Sequence, residues 1–257
     1  MDQHGKYGPL VRRAALLAAW LLALAAPAQG LAQQAGCRLA LALALDVSSS
    51  VDAAEYDLQR RGLAAALDAP EIRHAVLRGA PGAVALAVYE WSGAEQHRLQ
   101  LDWTLLRDAG AIDRAVAALA GMRRSHSEFP TSMGPALGYG ATLLTRAPAC
   151  DRQVIDISGD GVNNYRFGPR EAYRHFPFAG VTVNGLVILG DQPDVLPFYR
   201  AEVARGPGAF VETARGFSDF RAAMTRKLHR EIADIVLGAA HPPGHPQQIG
   251  PQQIRPQ

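Results

Sequence analysis

Lysine is nearly absent from this chain of 257 residues: only Lys6 and Lys227 occur, and every other basic residue is arginine. The bias is compositional and carries no functional signal by itself. Aromatic residues make up 7% of the chain, and no stripe of basic residues interleaved with them is present, which argues against a nucleic-acid surface. There is no GxxxxGK[ST] phosphate loop, no HExxH zinc helix and no GxSxG nucleophile elbow. Gly138, Gly140 and Leu143 fall short of a dinucleotide fingerprint and stand inside a helical stretch. No apolar run reaches the ~20 residues of a membrane span.

The longest such run, Ala14–Ala26, follows Lys6, Arg12 and Arg13 and ends at Pro27. Charge, length and small-residue exit read as an export signal over residues 1–32, cleaved after Ala28 or Ala32. The expected product is periplasmic or secreted, with no stable membrane span. Its removal takes three of the 26 Lys+Arg and one of the 24 Asp+Glu, so the precursor's net charge of +2 becomes zero. Only two cysteines remain to consider, Cys37 and Cys150, each standing just before an apolar run. If those runs are neighbouring parallel strands, both cysteines lie at one edge of the sheet and a disulfide is expected. The competing reading, a lipid-anchored Cys37, is disfavoured by polar Gln34 and by the distance from Pro27.

What the chain does have is the stretch Leu39–Ser50, LALALALDVSSS. Leu39 to Leu45 reads as a strand buried on both faces, with polar residues starting at Asp46. Asp52 and Glu55 stand in capping-box relation and open a helix through Tyr56, Leu63 and Leu67. Residues 71–82 read as a loop with Pro81 and Gly82 as its turn signal, and Ala83–Tyr89 as a second buried strand. His97–Trp103 is expected to return antiparallel at the sheet edge. A helix over Asp108–Ala120, the polar loop Gly121–Pro130 and a helix from Ser132 to Leu144 follow. Gln153–Ile157 is the next strand, leading into Ser158, Gly159, Asp160 and Gly161. Further expectations are a helix over Pro169–Phe176, a strand over Val181–Leu189, a helix over Asp194–Arg205 and a strand over Ala209–Thr213. Last comes a helix capped by Ser218, with Phe220, Met224, Leu228, Ile232 and Ile235 on one face through Leu237. One domain over 33–238 and a disordered Pro/Gln-rich tail over 239–257 complete the organisation.

Alternating strands and helices predict an α/β, Rossmann-like doubly wound sheet of six mainly parallel strands, with an antiparallel edge strand and helices on both faces. Ligands of such sheets bind at the carboxyl ends of the strands, near the switch in strand order. Asp46 and Asp160 both stand at carboxyl ends and would face one crevice, within reach of Thr131. Oxygen ligands alone suit a hard divalent cation. The alternative reading makes Ser48 and Ser50 helix caps and Asp46 a turn residue.

Asp46, Ser48 and Ser50, with Thr131 and the Asp160–Gly161 pair, resemble the metal-ion-dependent adhesion site of von Willebrand factor A (vWA) domains. The order of elements from Cys37 to Leu237 is similar to that fold. The phrases VYEWSG at Val88 and DISGDGVNN at Asp156 resemble an exported bacterial vWA-like family of unassigned function. The resemblance implies Mg2+ (or Mn2+) held directly by Ser48 and Ser50, with Asp46 and Asp160 acting largely through water. Thr131 would join directly or through water, and one position would stay open for an acidic group of a protein or other carboxylate-bearing ligand. Ser125, Ser127 and Ser132 compete with Thr131, and Pro130 replaces the usual glycine before it.

Two classes of function follow: a binding module without enzymatic activity, or a metal-dependent hydrolase with Asp46 as nucleophile. The second needs another Asp two residues on, where Ser48 stands, and a core lysine, for which only Lys227 is available. A structural domain with no functional metal site is the third option. Glu90 and Trp91 are weaker candidates for partner contact, Asn163 and Asn164 for the rim of the site, and His241 and His245 for metal capture in the tail. The sequence does not set the number of subunits.

Overall fold

The structure, a computed structural model, describes residues 36–190 and 192–233. The expected export signal, the tail with His241 and His245, and helix positions Ile235 and Leu237 lie outside the described residues. The strands are β1 (Cys37–Asp46), β2 (Ala83–Trp91), β3 (His97–Leu106), β4 (Cys150–Gly159), β5 (Val181–Ile188) and β6 (Val211–Ala214). The helices are α1 (Ala53–Leu67), α2 (Pro70–Arg78), α3 (Ala109–Ala120), α4 (Met133–Leu144), α5 (Pro169–His175), α6 (Val195–Phe198) and α7 (Phe220–Ala233). The sheet runs β3-β2-β1-β4-β5-β6, with only the β2–β3 pair antiparallel. This is the expected doubly wound sheet. β1 lies at its centre, and the chain leaves it first toward β2 and later crosses to β4 on the other side. Among the described residues, no helix is long and apolar enough to cross a membrane.

β1 shows how an alternating apolar run can serve two different faces. Leu39, Leu41, Leu43 and Leu45 enter one core layer with Leu63, Ile72, Ile112 and Leu228, whereas Ala40, Ala42 and Ala44 enter the other with Ala136, Leu137 and Ala141 of α4. All ten β1 residues are buried. Small side chains on the alanine face let α4 approach closely, and the Tyr89 hydroxyl reaches between them to donate to the Ala136 carbonyl at 3.0 Å. Truncating a leucine on the other face leaves a cavity and costs about 2–5 kcal/mol.

Cys37 and Cys150 are in register as the first residues of β1 and β4 and form a disulfide. The closed loop separates them by 113 positions, worth about 5 kcal/mol in the chain-entropy account. The lipid-anchor alternative for Cys37 is thereby set aside.

Several boundaries differ from the sequence reading. The expected loop over 71–82 contains α2: Pro70 occupies a first-turn position, where its missing N–H costs nothing, and Ile72, Ala75 and Val76 are buried against the core. The helix expected over Asp194–Arg205 is the four-residue α6 followed by a π-turn, Tyr199–Val203, which carries the bulky Tyr199 into the sheet. Ser218 lies inside a 3-10 turn, Phe217–Asp219, that precedes α7. Phe220, Met224, Leu228 and Ile232 of α7 are buried as expected.

Candidate metal centre

β1 delivers Asp46 as its last residue, fully buried and in register with Trp91. Asp46 Oδ1 accepts from the Ser48 backbone N–H at 2.8 Å, which curls the chain as it leaves the sheet. That curl sets Ser48 Oγ and Ser50 Oγ 3.2 Å apart. Helix α1 starts afterwards with its own cap: Asp52 accepts from the Glu55 N–H at 2.8 Å, and the Glu55 carboxylate accepts from the Asp52 N–H at 2.8 Å. Ser48 and Ser50 therefore do not cap the helix, and their hydroxyls turn instead toward two other segments. Ser50 Oγ donates to Asp160 Oδ1 at 2.9 Å, just past the end of β4. Thr131 Oγ1, just before α4, donates to Ser48 Oγ at 3.3 Å. The five positions picked from the sequence thus converge at one place.

The other candidates do not join them. Ser132 Oγ donates to the Tyr165 carbonyl, the Ser125 N–H is held by Glu90, and Ser127 is exposed. Asp156 lies within β4 and pairs with Lys227 at 2.9 Å, while Glu231 takes the same ammonium at 2.6 Å. Lys227 is thus a core lysine, but it is engaged on the α7 side with Asp156 and Glu231.

The electrostatics of the cluster are those of a place that favours a cation. Asp46 has its pKa pushed up to about 7, first because burial strips water from its carboxylate and next because Asp160 is close. Hydrogen bonds from Ser48 and the charge of Arg124 oppose this only in part. Asp46 Oδ2 is buried with no hydrogen-bond partner among the described residues, a costly arrangement for a carboxylate oxygen. A Cβ on Gly159 would come within 2.8 Å of that same oxygen and 2.7 Å of the Tyr199 hydroxyl, so glycine is required for the two strand ends to close. Ser50 is exposed and Asp160 half-buried, which leaves the hydroxyl cluster open to solvent on one side. Two carboxylates and three hydroxyls, with one carboxylate oxygen unsatisfied, fit a hard oxygen-seeking divalent cation. Among the described residues, no three His, Cys, Asp or Glu side chains gather in a metal-holding group, so an ion here would depend on the hydroxyls.

The supports of this cluster were largely missed in the sequence. Arg124 Nη2 donates to the carbonyls of Val47 and Ser48 at 3.1 and 3.0 Å, and Gln59 Nε2 donates to the Asp46 carbonyl at 3.1 Å. Glu90, considered for partner contact, is fully buried and receives the Tyr56 hydroxyl at 2.6 Å and the Ser125 N–H at 2.8 Å. Trp91 is equally buried, so neither faces a partner. Asn164 accepts from the Thr131 N–H at 3.0 Å and Asn163 from the Met133 N–H at 2.8 Å, so both fix the segment that presents Thr131. Only the Asn-Asn pair after Asp160 gave a local signal. The roles of Arg124 and Gln59 depend on backbone carbonyls far away in sequence.

Solved structures share this fold. Proximal thread matrix protein 1 from the mussel byssus, in a form with a zinc-occupied adhesion-site motif, aligns with a TM-score of 0.54 at 17% identity, over 77% of this chain and 46% of that one. A von Willebrand factor type A structure from Catenulispora acidiphila gives 0.54 at 16% identity, over 78% and 43%. The PilB minor pilin from Streptococcus sanguinis gives 0.60 at 12% identity, over 81% and 64%. The chain spans about half the length of the matrix-protein structures it matches. A search of curated proteins finds no match. The fold is that of vWA domains, and with a family model matching residues 36–236 the chain belongs to the family described as "Protein of unknown function (DUF1194)".

Proposed function

We propose that this protein is an exported binding module that grips a protein, or another carboxylate-bearing ligand, through a divalent cation. Ser48, Ser50 and Thr131 would hold the ion through their hydroxyls, with Asp46 and Asp160 supplying the negative charge. The ion, Mg2+ or Mn2+, would act as an electrophile that attracts one further carboxylate. Neutral hydroxyls leave it more electron-poor than a cage of carboxylates would. The observation that carries this reading is the chain of contacts that joins Ser48, Ser50, Thr131 and Asp160 beside Asp46, whose Oδ2 is left unsatisfied among the described residues. Export is supported by the disulfide, which persists in oxidising compartments. The hydrolase reading gains no support, because Lys227 is committed to Asp156 and Glu231.

Calorimetric titration of Mg2+, Mn2+ and Zn2+ into the chelator-treated chain tests this directly. One site is expected in the wild type and none in Ser48→Ala or Ser50→Ala. Equal heats in wild type and variants would remove the site. Capture of a partner from the exported fraction, compared with and without chelator, then tests the binding role.

A further inference from the structure

Beside the metal loop, a cleft of about 500 Å³ opens between β3 and the loop over 121–130. Arg98, Arg123, Arg124 and His126 line it together with Gln100 and Ser125, and none of its lining residues is a carboxylate. Arg98 and Arg123 are exposed, and neither side chain forms an ion pair or hydrogen bond among the described residues. Several other exposed arginines, such as Arg146, Arg170 and Arg174, are paired with acids, whereas Arg98 and Arg123 stand together in one cleft. The whole chain carries a net charge of only +2, while this cleft gathers three arginines with no acid among its lining residues. Inside the cleft wall, Arg124 Nε and Ser125 Oγ are buried donors with no hydrogen-bond partner among the described residues. The acid beneath them, Glu90, is already engaged by Tyr56 and the Ser125 N–H.

The cleft and the metal loop share a residue. Arg124 lines the cleft while its Nη2 holds the Val47 and Ser48 carbonyls. An anionic group in the cleft would therefore meet one guanidinium held in place, that of Arg124, beside the two uncommitted ones of Arg98 and Arg123, groups of the kind that recognise carboxylates through paired donors.

We propose that this cleft is an anion site that receives an acidic side chain of a protein partner next to the one taken at the metal, so that the module recognises acidic polypeptide segments. The choice of a protein partner rests on the binding-module reading above; the cleft's capacity for carboxylates does not. Charge complementarity selects the ligand: three arginines with unused donors, no competing carboxylate and an open mouth suit a carboxylate-rich chain.

The test is the fluorescence anisotropy of a labelled poly-aspartate peptide with the full disulfide-bonded chain, at several salt concentrations, in Mg2+ and in chelator. Arg98→Ala/Arg123→Ala is expected to weaken binding about ten-fold in both conditions and to flatten its salt dependence. Arg78→Ala/Arg221→Ala makes the same change in net charge at exposed positions elsewhere and is expected to leave binding unchanged. Equal binding by wild type and the cleft variant, or equal weakening by the two double variants, overturns the proposal. So does cleft-dependent binding of polygalacturonate without binding of poly-aspartate, since the ligand would then be an acidic polysaccharide. Failure of the metal reading looks different: Ser50→Ala and chelator would change nothing, while the dependence on Arg98 and Arg123 remained.

Discussion

Replacing Asp46 with asparagine should have opposite effects on the metal-free and the metal-bound protein. In the free chain the buried carboxylate has its pKa raised from an ordinary 3.8 to about 7. The native state therefore holds the proton more tightly than the unfolded chain, and stability is lost as pH rises from about 4 to about 7. Three pKa units correspond to about 4 kcal/mol carried by the ionised native state at pH 8. Asp46→Asn removes this charge and its repulsion with Asp160 while keeping an acceptor for the Ser48 N–H. Burying the new amide donors costs about 1–2 kcal/mol, so the net gain in chelator at pH 8 is about 2 kcal/mol. For a domain of this size that raises Tm by about 4–8 °C. In the wild type, a divalent ion at 100 times its Kd adds about 2.7 kcal/mol, and the variant should lose that response. The assay is thermal unfolding of both proteins at pH 5 and 8, with Mg2+, Mn2+ and chelator. A variant less stable than wild type in chelator at pH 8, beside a wild type indifferent to both ions, would refute the electrostatic account of this cluster.

Other expected outcomes follow from the same contacts. Lys227→Met leaves Asp156 and Glu231 buried without their ammonium, and urea unfolding at pH 8 should show a loss of about 3–5 kcal/mol. Part of that loss should be recovered at pH 5, because burial already raises the pKa of Asp156. Arg124→Ala frees the Val47 and Ser48 carbonyls and should weaken Mn2+ binding about ten-fold in titration calorimetry, with little change in the fold by circular dichroism. Cys37→Ser/Cys150→Ser should lower stability by about 5 kcal/mol in denaturant under oxidising conditions, a difference that disappears when the wild type is reduced.

Most of the frame was legible because its signals are local or strongly periodic. The Leu/Ala alternation of β1, the Asp52–Glu55 capping box and the placement of two cysteines at strand starts each state their structure in a few residues. Convergence of Asp46, Ser48, Ser50, Thr131 and Asp160 was inferable because parallel strands bring their carboxyl ends together. Helix α2 was hidden because its apolar stripe is short and the stretch closes on Pro81 and Gly82. The π-turn at Tyr199 escaped because its cause is tertiary: a Cβ on Gly185 would meet the Tyr199 ring at 2.5 Å, a fit visible only in the folded chain. Glu90 read as a candidate for partner contact because nothing nearby in sequence announces its partners, Tyr56 and Ser125.

The covalent link and the oxygen cluster sit at opposite ends of the same two ten-residue strands, about 30 Å apart at ordinary strand rise. The sulfurs therefore fasten β1 and β4 without touching the loops that carry the oxygen cluster. A slip of one residue between these strands would turn Asp46 to the wrong face, and the bond at their origin forbids that slip before the rest of the sheet has assembled. Oxidation would thus act as a one-time alignment step, whereas any ion held at the far end would exchange with the surrounding medium. Reducing agents would change how readily the protein folds and unfolds, but not the geometry of the oxygen cluster while it is folded.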